Sequence, residues 1–132
     1  RGARNYAADV MQLLYVANRY EWRSDIERKR NDGTILICDR YLASSVAYGE
    51  AQGLDPAWLL DIQRYLPQPD ITFLLDIAPE TSLERKRAAR DKFERDLPLL
   101  SRVRASYQRQ AAAPPWCRRG WRHPTAASSR GC

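Results

Sequence analysis

The chain lacks any apolar run of membrane-spanning length, and no charged-then-apolar leader opens it, so neither membrane insertion nor export is expected. It has a single histidine, His123, which is given no role, and its three cysteines (Cys38, Cys117 and Cys132) show no metal-ligand spacing. That odd count leaves no complete disulfide framework, and Cys38 falls inside an apolar run where a reduced thiol acts as a small hydrophobe. A reducing, cytoplasmic setting is expected. Acid is absent from the end of the chain, where all 16 acidic residues have been used up by Asp96. Four of the six excess positive charges are Arg118, Arg119, Arg122 and Arg130. Nucleic-acid binders concentrate positive charge on a folded face, so this distribution gives no expectation of such a partner.

What is present fits one small α/β domain of 132 residues with a moderate core. Thr34-Ile35-Leu36-Ile37-Cys38-Asp39-Arg40-Tyr41 is an apolar run that follows a turn at Asn31-Asp32-Gly33 and ends in Asp-Arg-Tyr. Without alternation it reads as a strand buried on both faces of a parallel sheet. Ligands in open α/β sheets gather beyond the carboxyl ends of strands, where this one places a carboxylate and a guanidinium. A planar, always-charged fork there suits an anionic oxygen cluster such as phosphate.

The periodicity predicts one helix from about Tyr6 to Arg30, its stripe made by Tyr6, Val10, Leu13, Leu14, Ala17 and Tyr20, with Gly33 as terminator. Helices follow over about Leu42 to Ala51 and, opened by Asp55-Pro56, over about Pro56 to Tyr65. Ile71 to Leu75 reads as a second unalternating strand ending at Asp76, then a helix from Pro79 to Arg87, and a last helix from Leu97 to Ala113. Before the last helix, Glu84 to Asp96 interleaves six Lys/Arg with acids. Residues 114–132 have no Asp, Glu, Ile, Leu or Val and no periodicity, so they are expected to be a disordered or aberrant tail beyond a folded part at 1–113.

Leu13-Leu14-Tyr15-Val16-Ala17-Asn18-Arg19, then Asp39-Arg40-Tyr41 with Ser44-Ser45-Val46-Ala47-Tyr48, resemble the thymidylate kinase family. So do Pro69-Asp70-Ile71-Thr72-Phe73-Leu74-Leu75-Asp76 and Asp91-Lys92-Phe93-Glu94-Arg95, in the family's order and spacing from about Asn5 to Ala111. The resemblance implies a P-loop nucleoside-monophosphate kinase, with helices around a parallel sheet. Such an enzyme moves the γ-phosphoryl group of ATP onto dTMP, with Mg²⁺ along the phosphates. Gly-x-x-x-x-Gly-Lys-Ser/Thr, whose backbone amides cradle ATP phosphates, occurs nowhere in the sequence. The expectation is therefore a partial fold with about two strands, truncated at its start, binding dTMP without useful turnover. Ala43 and Gly49 stand where many relatives have an acid and a glutamine.

The resemblance also assigns roles. Tyr15 and Arg19, four apart on one helical face, would stack on the pyrimidine and bond its edge. From the residues alone they read equally as a core tyrosine beside a solvated arginine. Arg40 would bind the dTMP phosphate and hold it in line, and Asp39 would support Arg40 or a Mg²⁺-bound water. An Asp39–Arg40 structural ion pair is the plainer alternative. Ser44 and Tyr48 would line the same pocket, or simply pack the helix. Arg85, Arg87 and Arg90 fall in the family's lid, where at least one of Arg87 and Arg90 would close over ATP phosphates. Phe93 and Glu94 would lie over deoxyribose and base. Partners implied are dTMP and ATP, with no nucleic acid and no membrane, and homodimers are common in the family. Two other functions stay open: a P-loop kinase for another nucleotide or deoxynucleoside, and a non-catalytic basic protein binding nucleic acid through its tail.

Overall fold

The structure, a computed structural model, describes residues 6–81 and 96–112 and the backbone of 116–120. The chain divides into two compact units, Arg1–Gln68 and Pro69–Cys132.

The first unit is helical. In place of the single long helix expected, α1 (Ala8–Glu21) and α2 (Arg23–Asn31) meet at Trp22. Neither proline nor glycine marks the break. The Tyr20 hydroxyl, however, donates to Ile62 O at 3.2 Å and pins the end of α1. The inner face of α1 also differs from the apolar stripe. Gln12 and Val16 are buried, whereas Tyr6, Val10, Leu13 and Leu14 stay exposed. Helix α2 ends in a Schellman motif, with Gly33 N–H donating to Arg30 O and Thr34 N–H to Lys29 O, both 3.0 Å. Gly33 takes the left-handed conformation (φ 76°) that the motif requires, at no steric cost.

Residues 34–38 are extended but belong to no ladder among the described residues, and Ile35 and Ile37 are 89% and 94% exposed. The expected buried strand is therefore corrected, and Cys38 is exposed rather than packed. A parallel strand is stabilised by paired edges and covered faces, and nothing among the described residues supplies either here.

Helix α3 (Leu42–Ala51) is the core of this unit. Ser44, Ser45, Val46, Ala47, Gly49 and Ala51 are all buried. Helix α4 (Pro56–Asp61) starts as expected, with the Asp55 carboxylate accepting from Ala57 N at 2.9 Å and Pro56 in the first turn. Beyond Asp61 the chain tightens into turns rather than continuing as helix, with Gln63 N donating to Leu60 O, Arg64 N to Asp61 O and Leu66 N to Gln63 O. Leu59 of α4 is completely buried and packs where Gly49 leaves room.

In the second unit β1 (Thr72–Asp76) pairs in parallel with β2 (Trp116–Gly120), Thr72 opposite Trp116 and Asp76 opposite Gly120. Strand β1 alternates in burial, with Phe73 and Leu75 64% and 70% exposed, so its second face is bare where burial on both was expected. Strand β2 lies inside the segment expected to lack structure; the rest of 114–132 falls outside the described residues. Residues 79–81 begin the helix expected after Pro79. Helix α5 (Leu97–Gln110) opens with the Asp96 carboxylate accepting from Leu99 N at 2.9 Å. It buries Leu99, Val103 and Ser106. Its Arg104 and Gln108 grip Asp76 at the end of β1. Arg104 Nε donates to Oδ1 at 2.6 Å, and Gln108 Nε2 to Oδ2 at 3.1 Å. The bond to Asp76 holds the Arg104 guanidinium above its usual pKa, so it stays charged.

A Cβ at position 49 would stand 2.6 Å from Leu59 Cδ1 and 2.8 Å from Cδ2. Gly49→Ala should therefore push α3 and α4 apart and destabilise the unit by about 1–3 kcal/mol, read as a lowered urea midpoint with unchanged slope. An unchanged midpoint would show that this approach is slack.

Candidate functional site

The first turns of α3 carry two neighbouring buried serines, and each holds an arginine. Helical neighbours point about 100° apart, so two hydroxyls in sequence can serve two directions at once. Arg40 Nε donates to Ser44 Oγ at 3.1 Å, and its guanidinium lies 4.4 Å from the Tyr48 ring centre. Arg19 Nη1, arriving from α1, donates to Ser45 Oγ at 2.6 Å and to Gln63 Oε1 at 3.4 Å. Its guanidinium also stands 5.8 Å from the Tyr41 ring centre.

Arg40 is the one non-glycine residue with positive φ (58°) among the described residues. The left-handed region costs an L-residue about 1–2 kcal/mol, so the surroundings hold it there. Two contacts supply the hold: the Ser44 hydroxyl at Nε and the Tyr48 ring beside the fork. They leave Nη1 and Nη2 without a hydrogen-bond partner among the described residues. A fixed fork with both distal nitrogens open is suited to accept a phosphate or carboxylate bidentately.

Tyr41, next to Arg40 in the chain and facing the Arg19 guanidinium, carries a buried hydroxyl with no hydrogen-bond partner among the described residues. Burial first, and then Cys38, push its phenol above the usual range, and Arg19 and Arg30 pull the other way. Gln63 is buried, and its Nε2 donates to Leu59 O at 2.8 Å, which turns its carbonyl oxygen toward Arg19.

The structure thus brings together Arg40, Ser44 and Tyr48 in one cluster and Arg19, Ser45 and Gln63 in another, joined through α3. Tyr15 is half-exposed on α1, one turn before Arg19. Asp39 is exposed and forms no ion pair with Arg40 among the described residues. Arg85, Arg87, Arg90, Phe93 and Glu94 lie outside the described residues. Ser45 and Gln63 escaped the sequence reading. Ser45 stands in the quoted run beside Ser44, but Gln63 joins Arg19 only through the turn after α4, which no local pattern announces.

A charged fork with open donors among the described residues, beside a second anchored arginine and aromatic rings, is chemically suited to an anionic, ring-bearing ligand. The chain belongs to the thymidylate kinase family, a family of phosphotransferases, whose sequence model matches residues 2–119. It is 38% identical over 99 residues to a probable thymidylate kinase of Sulfolobus acidocaldarius, an alignment covering 74% of this chain and 50% of that protein. The thymidylate kinase of Dictyostelium discoideum is 30% identical over 116 residues (88% of this chain, 52% of that protein). That of Arabidopsis thaliana is 44% identical over 86 residues (65% and 33%). The chain spans about half the length of the first two relatives. No helix among the described residues is long and apolar enough to cross a membrane.

Two predictions test this geometry. Arg40→Gly relieves the left-handed strain, so it should be more stable than Arg40→Ala, which keeps a Cβ there, by about 1 kcal/mol; equal thermal midpoints would remove the strain. For Tyr41, a phenol pKa raised on folding means that the native chain holds its proton more tightly than the unfolded chain. Its contribution is intact below the ordinary value of 10.0 and is lost as pH rises through the folded value. Midpoints followed from about pH 9 to about pH 11 should fall less steeply in Tyr41→Phe than in the parent; identical slopes would contradict the assignment.

Proposed function

We propose that this chain forms the nucleoside-monophosphate side of a thymidylate kinase, where dTMP binds and receives the γ-phosphoryl group of ATP to give dTDP and ADP. The observation that carries this reading is Arg40, strained into place and held at Nε, with both distal nitrogens open among the described residues. Phosphoryl transfer depends mainly on positioning and on charge stabilisation, and a guanidinium fixed before substrate arrives supplies both without rearrangement. Ser44 and Tyr48 act through Arg40 by fixing its fork. Arg19, held by Ser45, faces the edge of the pyrimidine, and the half-exposed Tyr15 ring offers a stacking surface worth roughly 1–3 kcal/mol per base.

Magnesium keeps most of its waters and is held by one or two carboxylates together with substrate phosphates. The exposed Asp39 carboxylate next to Arg40 fits such an outer role, in which the bound ion offsets phosphate charge. Phe93 and Glu94 over the deoxyribose, and Arg87 or Arg90 closing on ATP phosphates, complete the assignment. A cytoplasmic setting belongs to the same reading. So does a homodimer, which the exposed Val10, Leu13 and Leu14 side chains of α1, with Tyr6 just before it, support.

Residues 1–132 hold no Gly-x-x-x-x-Gly-Lys-Ser/Thr, so this chain by itself should bind dTMP and not turn it over. Calorimetric titration should show dTMP binding weakened roughly ten- to hundredfold by Arg40→Ala. A coupled ADP-release assay with dTMP and Mg-ATP should stay at background. Equal affinity of parent and variant would overturn the phosphate role, and robust ADP release would overturn the division of labour.

A further inference from the structure

We propose that Gln63 is a positioning residue that sets the selectivity of the site for a thymine over a cytosine ring; the inference rests on the dTMP reading above. Three elements converge on one nitrogen of Arg19. The side chain comes from α1, Ser45 Oγ from α3 accepts at 2.6 Å, and Gln63 Oε1 from the turn after α4 accepts at 3.4 Å. Gln63 is itself fixed, being 3% exposed with its Nε2 donating to Leu59 O at 2.8 Å. That bond determines which end of the carboxamide meets Arg19, because the nitrogen is already committed. Leu59 in turn is fully buried against Gly49 of α3. The direction of the guanidinium is therefore relayed from the α3–α4 core rather than left to a flexible side chain.

The chemistry follows from the donor character of arginine. A guanidinium only donates, so it rewards a ring bearing a carbonyl oxygen at the position it faces and penalises one bearing an amino group there. Thymine carries a carbonyl where cytosine carries an amino group. The discrimination is lost when the fork can turn aside, and Gln63 limits that turn.

The test is calorimetric titration of dTMP and dCMP into the full chain and into Gln63→Met, Gln63→Asn and Gln63→Glu. Met preserves volume but removes the acceptor, Asn falls one methylene short, and Glu gives up the donor to Leu59 O but keeps at full length an acceptor that the Arg19 charge attracts. The ratio of dTMP to dCMP affinity should fall about tenfold in the Met and Asn variants and stay near the parent value in the Glu variant. A role confined to stability would lower unfolding midpoints and leave the ratio alone. An unchanged ratio in whichever of the Met and Asn variants retains the parent circular dichroism overturns the proposal. A parent chain that binds both nucleotides equally overturns the thymine reading and this inference with it, a result distinct from a parent that discriminates and a variant that discriminates equally well.

Discussion

Two hydroxyls in sequence, Ser44 and Ser45, carry the organisation of the helical unit, because each fixes a guanidinium that would otherwise be mobile. Long cationic side chains ordinarily keep their rotamer freedom and place their charge in water, and immobilising one costs up to about 2 kcal/mol. Here that cost is met locally. Both serines are buried, both accept a charge-assisted bond, and an aromatic ring stands beside each arginine, Tyr48 at 4.4 Å and Tyr41 at 5.8 Å. The helix presenting them is itself seated by the close approach of Gly49 to Leu59. Pre-organisation thus runs from a glycine in the core to an arginine fork at the surface.

The same constraint explains the helix before them. Apolar residues lie on more than one side of α1, so hydrophobic burial alone leaves its rotation open. Its observed phase sets Arg19 against Ser45 and Tyr20 against the backbone of Ile62, which carries Val16 and Gln12 inward and turns Leu13 and Leu14 outward. Directional bonds decided a question that area could not. In the second unit, likewise, Asp76 is fixed by Arg104 and Gln108 of α5 at the end of β1.

Legibility from sequence follows this division between local and long-range forces. The bounds of α3 and the starts of α4 and α5 were readable because capping and termination are local, whereas α4 ends at Asp61, short of the expected Tyr65. Asp55 with Pro56, Gly53 after α3 and Gly33 after α2 act within a turn of themselves. The strand at 34–38 was misread because its apolar run describes an environment to be occupied rather than one present among the described residues, and Ile35 and Ile37 stand exposed. The run Ile71 to Leu75 was read as a strand and one forms over Thr72–Asp76, yet its covered and bare faces depend on α5, far away in sequence. Arg19, Arg40, Ser44 and Tyr48 were named through family resemblance, and the structure gathers them about α3. Gln63 was not, since its meaning arises only when three elements meet.

Membership of the thymidylate kinase family and the geometry of Arg40 point the same way by independent routes, one through matched residues and one through strain, anchoring and open donors. The most direct measurement is a crystal structure of the chain grown with dTMP. The phosphate oxygens should lie within hydrogen-bond reach of the Arg40 distal nitrogens, with the pyrimidine beside Tyr15 and its edge toward Arg19. A nucleotide found with its phosphate elsewhere, and Arg40 still bonded to Ser44 but facing solvent, would contradict that placement.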